Sequence, residues 1–214
     1  MKINNNKSIE EILKKYCYVF WDYDDTLSPT VISKGIAYAE IFKGYPKELK
    51  DFILKHHKKY PGVSREIKLP LYHKESLKYK GKYMNIKLED LKIEFSLECI
   101  RILSNTPIFN KIDLFIRNNS KANYIITNMP QKEIDIVLEL KSIKQFFKEV
   151  KGDSIYKSNT LKNLLAQIGN KGKCVFIGDS EGDYIAAKEC NVDFILKTSS
   201  LNKNLQNIPK MKVI

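Results

Sequence analysis

Tyr18-Val19-Phe20-Trp21-Asp22-Tyr23-Asp24-Asp25-Thr26-Leu27 is the stretch from which the fold is read. Four large apolar residues in a row, β-branched and aromatic, read as a short buried strand. The run stops at Asp22, and Asp24 and Asp25 follow at once. A strand whose carboxyl end breaks into acidic and small polar residues is where open α/β sheets place their ligands. With the extended geometry carried two residues further, Asp22 and Asp24 point the same way. Two neighbouring carboxylates repel, so the pair is costly unless a cation or a shared proton relieves it.

A second dense polar cluster lies far along the chain. Cys174-Val175-Phe176-Ile177 reads as a strand and stops at Gly178-Asp179-Ser180-Glu181-Gly182-Asp183. Asp179 and Asp183 are one helical turn apart if a helix begins near Ser180. Acids there also meet the positive end of that helix. A capping role accounts for one of these residues; it does not account for a strand, a glycine turn and two acids together.

Between and around these clusters, strands and helices alternate. Ser8 with Glu11 begins a capped helix that leads into a strand at Cys17–Trp21. Ser28-Pro29-Thr30 is a turn, after which Val31 to Leu103 shows helical periodicity and no strand. The spacing predicts helices over Val31–Phe42, Pro46–Lys58, Ser64–Tyr79 (interrupted by Pro70) and Leu88–Leu103. Then follow a helix at Ile112–Asn119, a strand at Asn123–Ile126 and a helical stretch from Pro130. A short strand is expected at Phe146–Val150, helices at Thr160–Ile168 and Asp183–Cys190, and a last strand at Asp193–Leu196. The tail after Ser199 is polar and carries no readable pattern. Such alternation predicts an α/β protein with a Rossmann-like parallel sheet. Its core takes residues 1–28 and 105–214, and an all-helical cap is inserted at 29–104.

Composition sets the outer bounds. A chain of 214 residues, 43% hydrophobic and 29% charged, suffices for one packed domain and a smaller insert. No apolar run nears the ~20 residues of a membrane helix. The polar start, Met1 to Glu10, lacks the apolar core of an export signal, so the expected compartment is the cytoplasm. Cys17, Cys99, Cys174 and Cys190 are then reduced and act as core filler. The net charge of +12 raises the question of nucleic acid. Of the 37 basic side chains, however, only Arg65, Arg101 and Arg117 are arginine, and the lysines run evenly along the chain. Readers of phosphates and bases favour arginine forks gathered on one face. His56, His57 and His73 show no metal-ligand spacing and read as surface or cap packing.

Asp22-x-Asp24-x-Thr26-Leu27 and Gly178-Asp179-x-x-x-Asp183 resemble the first and last motifs of the haloacid dehalogenase (HAD) superfamily. Two weaker family elements stand between them in order: a strand ending in Thr127-Asn128, and a lysine near the next helix. Lys157 takes that place, with Lys151 as its main competitor. The resemblance implies a Mg²⁺-dependent phosphatase acting on a small phosphorylated metabolite, a sugar phosphate or a phospho-acid. It implies Asp22 as nucleophile and Asp24 as general acid and base. Metal ligation falls to Asp22, Asp24 (through its main-chain carbonyl) and Asp179, with Asp183 in support. Thr127, Asn128 and Lys157 would grip the phosphoryl oxygens. The second acid of the first motif, which the family's dehalogenases lack, argues against halide displacement. Within the cap, Gly62-Val63-Ser64-Arg65-Glu66-Ile67-Lys68 is the expected specificity segment, and Arg65 and Lys68 its cations. Two other readings remain open. One is a phosphomutase or phosphotransferase on phosphosugars, which shares the same motifs. The other is a lysine-rich nucleic-acid or partner-binding protein with a vestigial site.

Overall fold

The computed structural model describes residues 8–79, 86–169, 172–209 and 211–214. Most of the polar start and the stretch 80–85 of the helical insert lie outside the described residues. The chain divides into two compact units: Met1–Pro29 with Pro107–Ile214, and Thr30–Thr106.

The first unit is built on a six-stranded, all-parallel sheet. In chain order its strands are β1 (Tyr18–Trp21), β2 (Ala122–Ile126), β3 (Glu149–Lys151), β4 (Cys174–Gly178), β5 (Asp193–Leu196) and β6 (Lys212–Val213). They lie side by side as β3-β2-β1-β4-β5-β6. Trp21 is level with Ile125 on one side and Ile177 on the other, so β1 is central. The sheet grows outward one way from β1 through β2 and the other way from β4. That reversal opens a crevice at the carboxyl ends of β1 and β4.

Helices α1 (Ile9–Leu13), α6 (Asn110–Asn118), α7 (Gln131–Leu140), α8 (Lys157–Ile168), α9 (Glu181–Glu189) and α10 (Lys203–Gln206) complete the unit. Period-two alternation sends Phe20, Tyr124, Ile126 and Phe176 to one face, where Leu161 and Leu164 of α8 and Ala186 and Ala187 of α9 cover them. Phe20 and Tyr124 stack with ring centroids 5.1 Å apart. Trp21 points the other way, against Phe115 of α6, and its indole N–H donates to Asn123 Oδ1 at 3.1 Å. Phe20, Trp21 and Phe176 are fully buried; each contributes about 2–3 kcal/mol of transfer free energy toward fixing the sheet.

The second unit contains helices α2 (Thr30–Glu40), α3 (Lys47–Lys59), α4 (Arg65–Ser76) and α5 (Leu88–Asn105). Tyr38 sits at its centre, stacked on Phe95 at 4.0 Å and edge-on to Tyr72 at 5.2 Å. Gly35 permits the close approach of α3, because a Cβ there would lie 3.2 Å from the His57 ring.

Three expectations are corrected. Pro70 does not interrupt its helix; α4 runs through it. Only the Glu66 carbonyl loses a donor, and the buried Lys68, Leu69 and Tyr72 on either side of Pro70 hold the turn. The segment expected as a strand from Phe146 begins with a 3-10 turn at Lys144–Phe146, and pairing with β2 starts only at Glu149. Helix α8 begins at Lys157 rather than Thr160. The polar tail is also resolved: it supplies α10 and the edge strand β6.

The chain leaves the first unit after Pro29 and returns at Pro107. Ser28 Oγ donates to the Pro107 carbonyl at 2.9 Å, and the Phe109 N–H donates to the Leu27 carbonyl at 2.9 Å. Departure and return are therefore tied to each other. All four cysteines carry free thiols. Among the described residues no helix is long and apolar enough to cross a membrane.

Candidate active site

Four parallel strands end at one rim, and each delivers a polar side chain there. Asp22 follows β1 directly, its N–H donating to the Ile177 carbonyl of β4 at 2.9 Å. Thr127 follows β2, fixed by an N–H bond to the Lys151 carbonyl at 2.9 Å. Asp179 follows β4, and Lys157 opens α8 beyond β3. Asp183 stands in the first turn of α9, on a capping box in which Ser180 Oγ accepts from the Asp183 N–H.

Gly178 is what lets Asp183 in. A Cβ at that position would lie 2.4 Å from Asp183 Cβ and Cγ, so only glycine allows α9 to start this close to the strand. Asp183 is fully buried, and its Oδ2 accepts from the Ser180 amide at 3.0 Å and hydroxyl at 2.6 Å.

One carboxylate oxygen from each of Asp22, Asp179 and Asp183 lies within 4.8 Å of the others. The Asp24 carboxylate is not in that group. Lys157 Nζ donates to Asp22 Oδ1 at 2.5 Å and to Asp183 Oδ1 at 2.6 Å. Thr26 Oγ1 stands 3.5 Å from both an Asp22 and an Asp179 oxygen. Thr127 is buried, and its Oγ1 accepts from the Met129 N–H at 3.3 Å, which leaves the hydroxyl proton to point elsewhere. Asn128 is exposed at the loop tip.

The electrostatics follow from crowding acids in a dry place. Burial raises the Asp22 pKa well above the carboxylate range, and Asp183 and Asp24 push the same way against Lys157. Asp179 is raised by burial first, then by Asp22, Asp183 and Asp25. Burial alone would lower Lys157; Asp183 and Asp22 outweigh it and hold the ammonium charged. One lysine does not balance this rim. The donors are carboxylate oxygens, hard ligands at a spacing one small divalent cation spans, so the residues fit Mg²⁺.

The geometry separates the two candidate lysines. Lys151 is paired with Glu149 at 2.6 Å on the half-exposed edge strand, and Lys157 is the one that reaches the acids. Arg65 and Lys68 belong to the second unit. The Arg65 guanidinium lies over the Phe95 ring at 4.8 Å and donates to Ser96 Oγ at 3.3 Å. Lys68 is completely buried; its ammonium bonds to His57 Nδ1 at 3.1 Å and the Pro61 carbonyl at 3.2 Å. Because His57 Nε2 faces the Val31 carbonyl at 2.9 Å, that nitrogen carries the proton and Nδ1 accepts from Lys68.

Two residues of the rim escaped the sequence reading. Lys197 follows β5 as Asp22 follows β1, its N–H donating to the Gly178 carbonyl at 2.8 Å. Its ammonium rests on the Phe109 ring, 4.2 Å from the centroid. Asn202 uses its side-chain amide to bond both the Asp179 and the Lys197 carbonyls at 2.9 Å. Position after a strand flags Lys197; nothing in the sequence flags Asn202, which acts on backbone oxygens.

A scan of protein-family models and a search of curated proteins find no match to this sequence. Solved structures do match across nearly the whole chain. A Clostridium difficile protein assigned as a phosphatase is 20% identical, with a TM-score of 0.67 over 94% of both chains. A Thermotoga maritima protein assigned as a β-phosphoglucomutase is 19% identical, with a TM-score of 0.71 over 92% of this chain and 93% of that one. A HAD-superfamily hydrolase of subfamily IA from Geobacter sulfurreducens is 15% identical, with a TM-score of 0.66 over 94% and 92%. The chain has the haloacid dehalogenase-like fold.

Proposed function

We propose that this chain is a Mg²⁺-dependent phosphomonoester hydrolase that acts on a small phosphorylated metabolite, a sugar phosphate or a phospho-acid. The observation that carries the reading is the trio Asp22, Asp179 and Asp183 at the switch point of the sheet, Asp22 and Asp183 buried and bridged by Lys157, Asp179 half-buried beside them. Asp22, Asp179 and the Asp24 main-chain carbonyl would hold the ion, which when bound supplies positive charge that lets a phosphate dianion approach the acids.

Asp22 attacks phosphorus, the phosphorus–oxygen bond to the leaving alcohol breaks, and the phosphoryl group rests on the Asp22 carboxylate. Asp24, half-exposed at the rim, gives its proton to the departing alkoxide. It then takes a proton from the water that cleaves the acyl-phosphate. The Thr127 hydroxyl, the Asn128 N–H and Lys157 hold the phosphoryl oxygens as charge shifts among them. Lys157 also favours the ionised form of Asp22 against the effect of burial and aims it, since their contact fixes the carboxylate rotamer. Arg65 serves substrate choice from the second unit. The four free thiols suit a reducing compartment, and we assign the protein to the cytoplasm.

The fold likeness to a protein assigned as a β-phosphoglucomutase supports a second reading, in which a sugar hydroxyl replaces water as acceptor. A panel of phosphorylated metabolites assayed with Mg²⁺, with phosphate release and phosphosugar products followed together, separates the two. The wild type should release phosphate from at least one compound, and Asp22→Asn should cut turnover by ~10³-fold or more while the circular dichroism spectrum stays unchanged. Turnover by Asp22→Asn at the wild-type rate would remove the nucleophile from the scheme.

A further inference from the structure

The amino ends of β5 and β6 lie at the opposite end of the sheet from the acidic rim, because the strands are parallel and the rim follows their carboxyl ends. A groove of about 290 Å³ opens there, between the last turn of α9 and the tail that leads into β6. That volume stands at the lower edge of the range for small-molecule sites. Val192, Phe194, Ile208 and Met211 form its apolar walls, and each is half-buried. Val192 and Phe194 are fixed by the core cluster against which they pack. The Tyr184 ring meets Phe194 edge-on, with centroids 5.6 Å apart. A third flat ring laid against that pair would find the offset and edge contacts that aromatic groups prefer.

The charges in the groove are predominantly positive. Lys188 and Lys212 line it together with one acid, Asp193. That acid is already engaged: its Oδ2 accepts from the Tyr16 hydroxyl at 2.6 Å, from Lys15 Nζ at 3.2 Å and from Lys212 Nζ at 3.3 Å. The Tyr16 hydroxyl first, and then the two lysines, outweigh burial and hold the Asp193 pKa at about 2. Lys188 is exposed, and among the described residues no hydrogen bond or ion pair engages its ammonium. The negative end of α9 works against an anion, since Lys188 stands in its last turn. That end is capped, however. The Ala186, Ala187 and Lys188 carbonyls accept from the Cys190, Val192 and Asn191 N–H groups at 3.3, 2.9 and 3.2 Å. The balance favours an anion with an apolar body, since charge-assisted bonds to lysine are the strong ones.

We propose that this groove binds a small aromatic anion, its ring seated on Tyr184 and Phe194 and its acid group on Lys188 and Lys212. The site is separate from the acidic rim, and the inference does not depend on the reaction proposed there.

The test titrates 2-naphthoate, which carries no phosphorus, into the full-length protein and follows the amide shifts by NMR. Saturable binding with a Kd of about 1 mM or tighter is expected, with shifts centred on Tyr184, Lys188, Phe194 and Met211. Lys188→Glu should weaken binding by about tenfold, and Lys188→Arg should bind like wild type. Uncharged 2-naphthalenemethanol should bind the wild type about fivefold more weakly than the acid. Lys188 is exposed, so neither variant threatens the fold. No saturation up to about 5 mM overturns the inference. So do shifts centred elsewhere, an affinity that Lys188→Glu leaves unchanged, or equal binding of the alcohol. None of these outcomes bears on the phosphatase reading, which is decided by turnover.

Discussion

Lys157 decides whether the rim is tolerable. With Asp22 and Asp183 buried and only 2.5 and 2.6 Å from its ammonium, removal of the lysine leaves two carboxylates facing each other in a dry pocket. Lys157→Met should therefore lower the unfolding free energy of the metal-free protein by about 3 kcal/mol at pH 7.5. The deficit should shrink at pH 5.5. Asp22 already has a raised pKa from burial, so in the variant the folded state takes up protons more readily than the unfolded chain, and stability rises as pH falls. Urea denaturation at the two pH values measures this; a deficit that is constant or larger at pH 5.5 contradicts it. At this scale the sequence is legible where chemistry has a positional signature. Asp22 and Asp179 each end an apolar run in a dense acidic cluster, and that placement points to one rim; Thr127 also follows a strand but was singled out only through the family resemblance. Lys157 and Lys151 were not separable, because both lie in one polar segment and only the pairing of Lys151 with Glu149 turns it aside.

Elements with an apolar run, a helical period or a capping signal were readable, and the elements of the polar tail, which have none, were missed. β1, β2, β4 and β5 are apolar runs bounded by polar residues. β6 is only Lys212–Val213 and leaves no period to detect. Yet the segment leading to it does essential bracing. Asn202, buried just before α10, donates to the Asp179 and Lys197 carbonyls and accepts from the Ser199 N–H and the Gln206 amide at 3.0 Å. Asn202→Ala should cost about 2 kcal/mol in stability, and because it frees the Asp179 loop it should also weaken Mg²⁺ binding. Denaturant melts and metal titration read the two effects separately. A variant that loses stability with unchanged metal affinity would mean that Asp179 is held by its own strand. Helix α4 carries a similar lesson in reverse. Pro70 reads as a break, but the buried residues flanking it outweigh one lost hydrogen bond.

For the whole molecule, the evenly spread lysines argue against a nucleic-acid face, and a net charge of +12 would favour the approach of small anions in general. The two units should also differ in their response to acid. His57 is buried in the second unit, and burial together with Lys68 pushes its pKa down to about 4 from 6.5. Between those values the unfolded chain binds more protons than the folded one. Stability of that unit is therefore full above pH 6.5 and falls on the order of 3 kcal/mol as pH drops to 4. Hydrogen exchange at pH 7 and pH 5 should show amides of α2–α5 losing protection, and His57→Gln should flatten the change. The tie between Ser28 and Pro107 has a consequence of another kind. To the sheet, the whole helical excursion is a closed loop whose mouth is already fastened. Its length and content can therefore drift or be exchanged without shifting any strand; on the proposed function, the rim would stay constant while the insert changes.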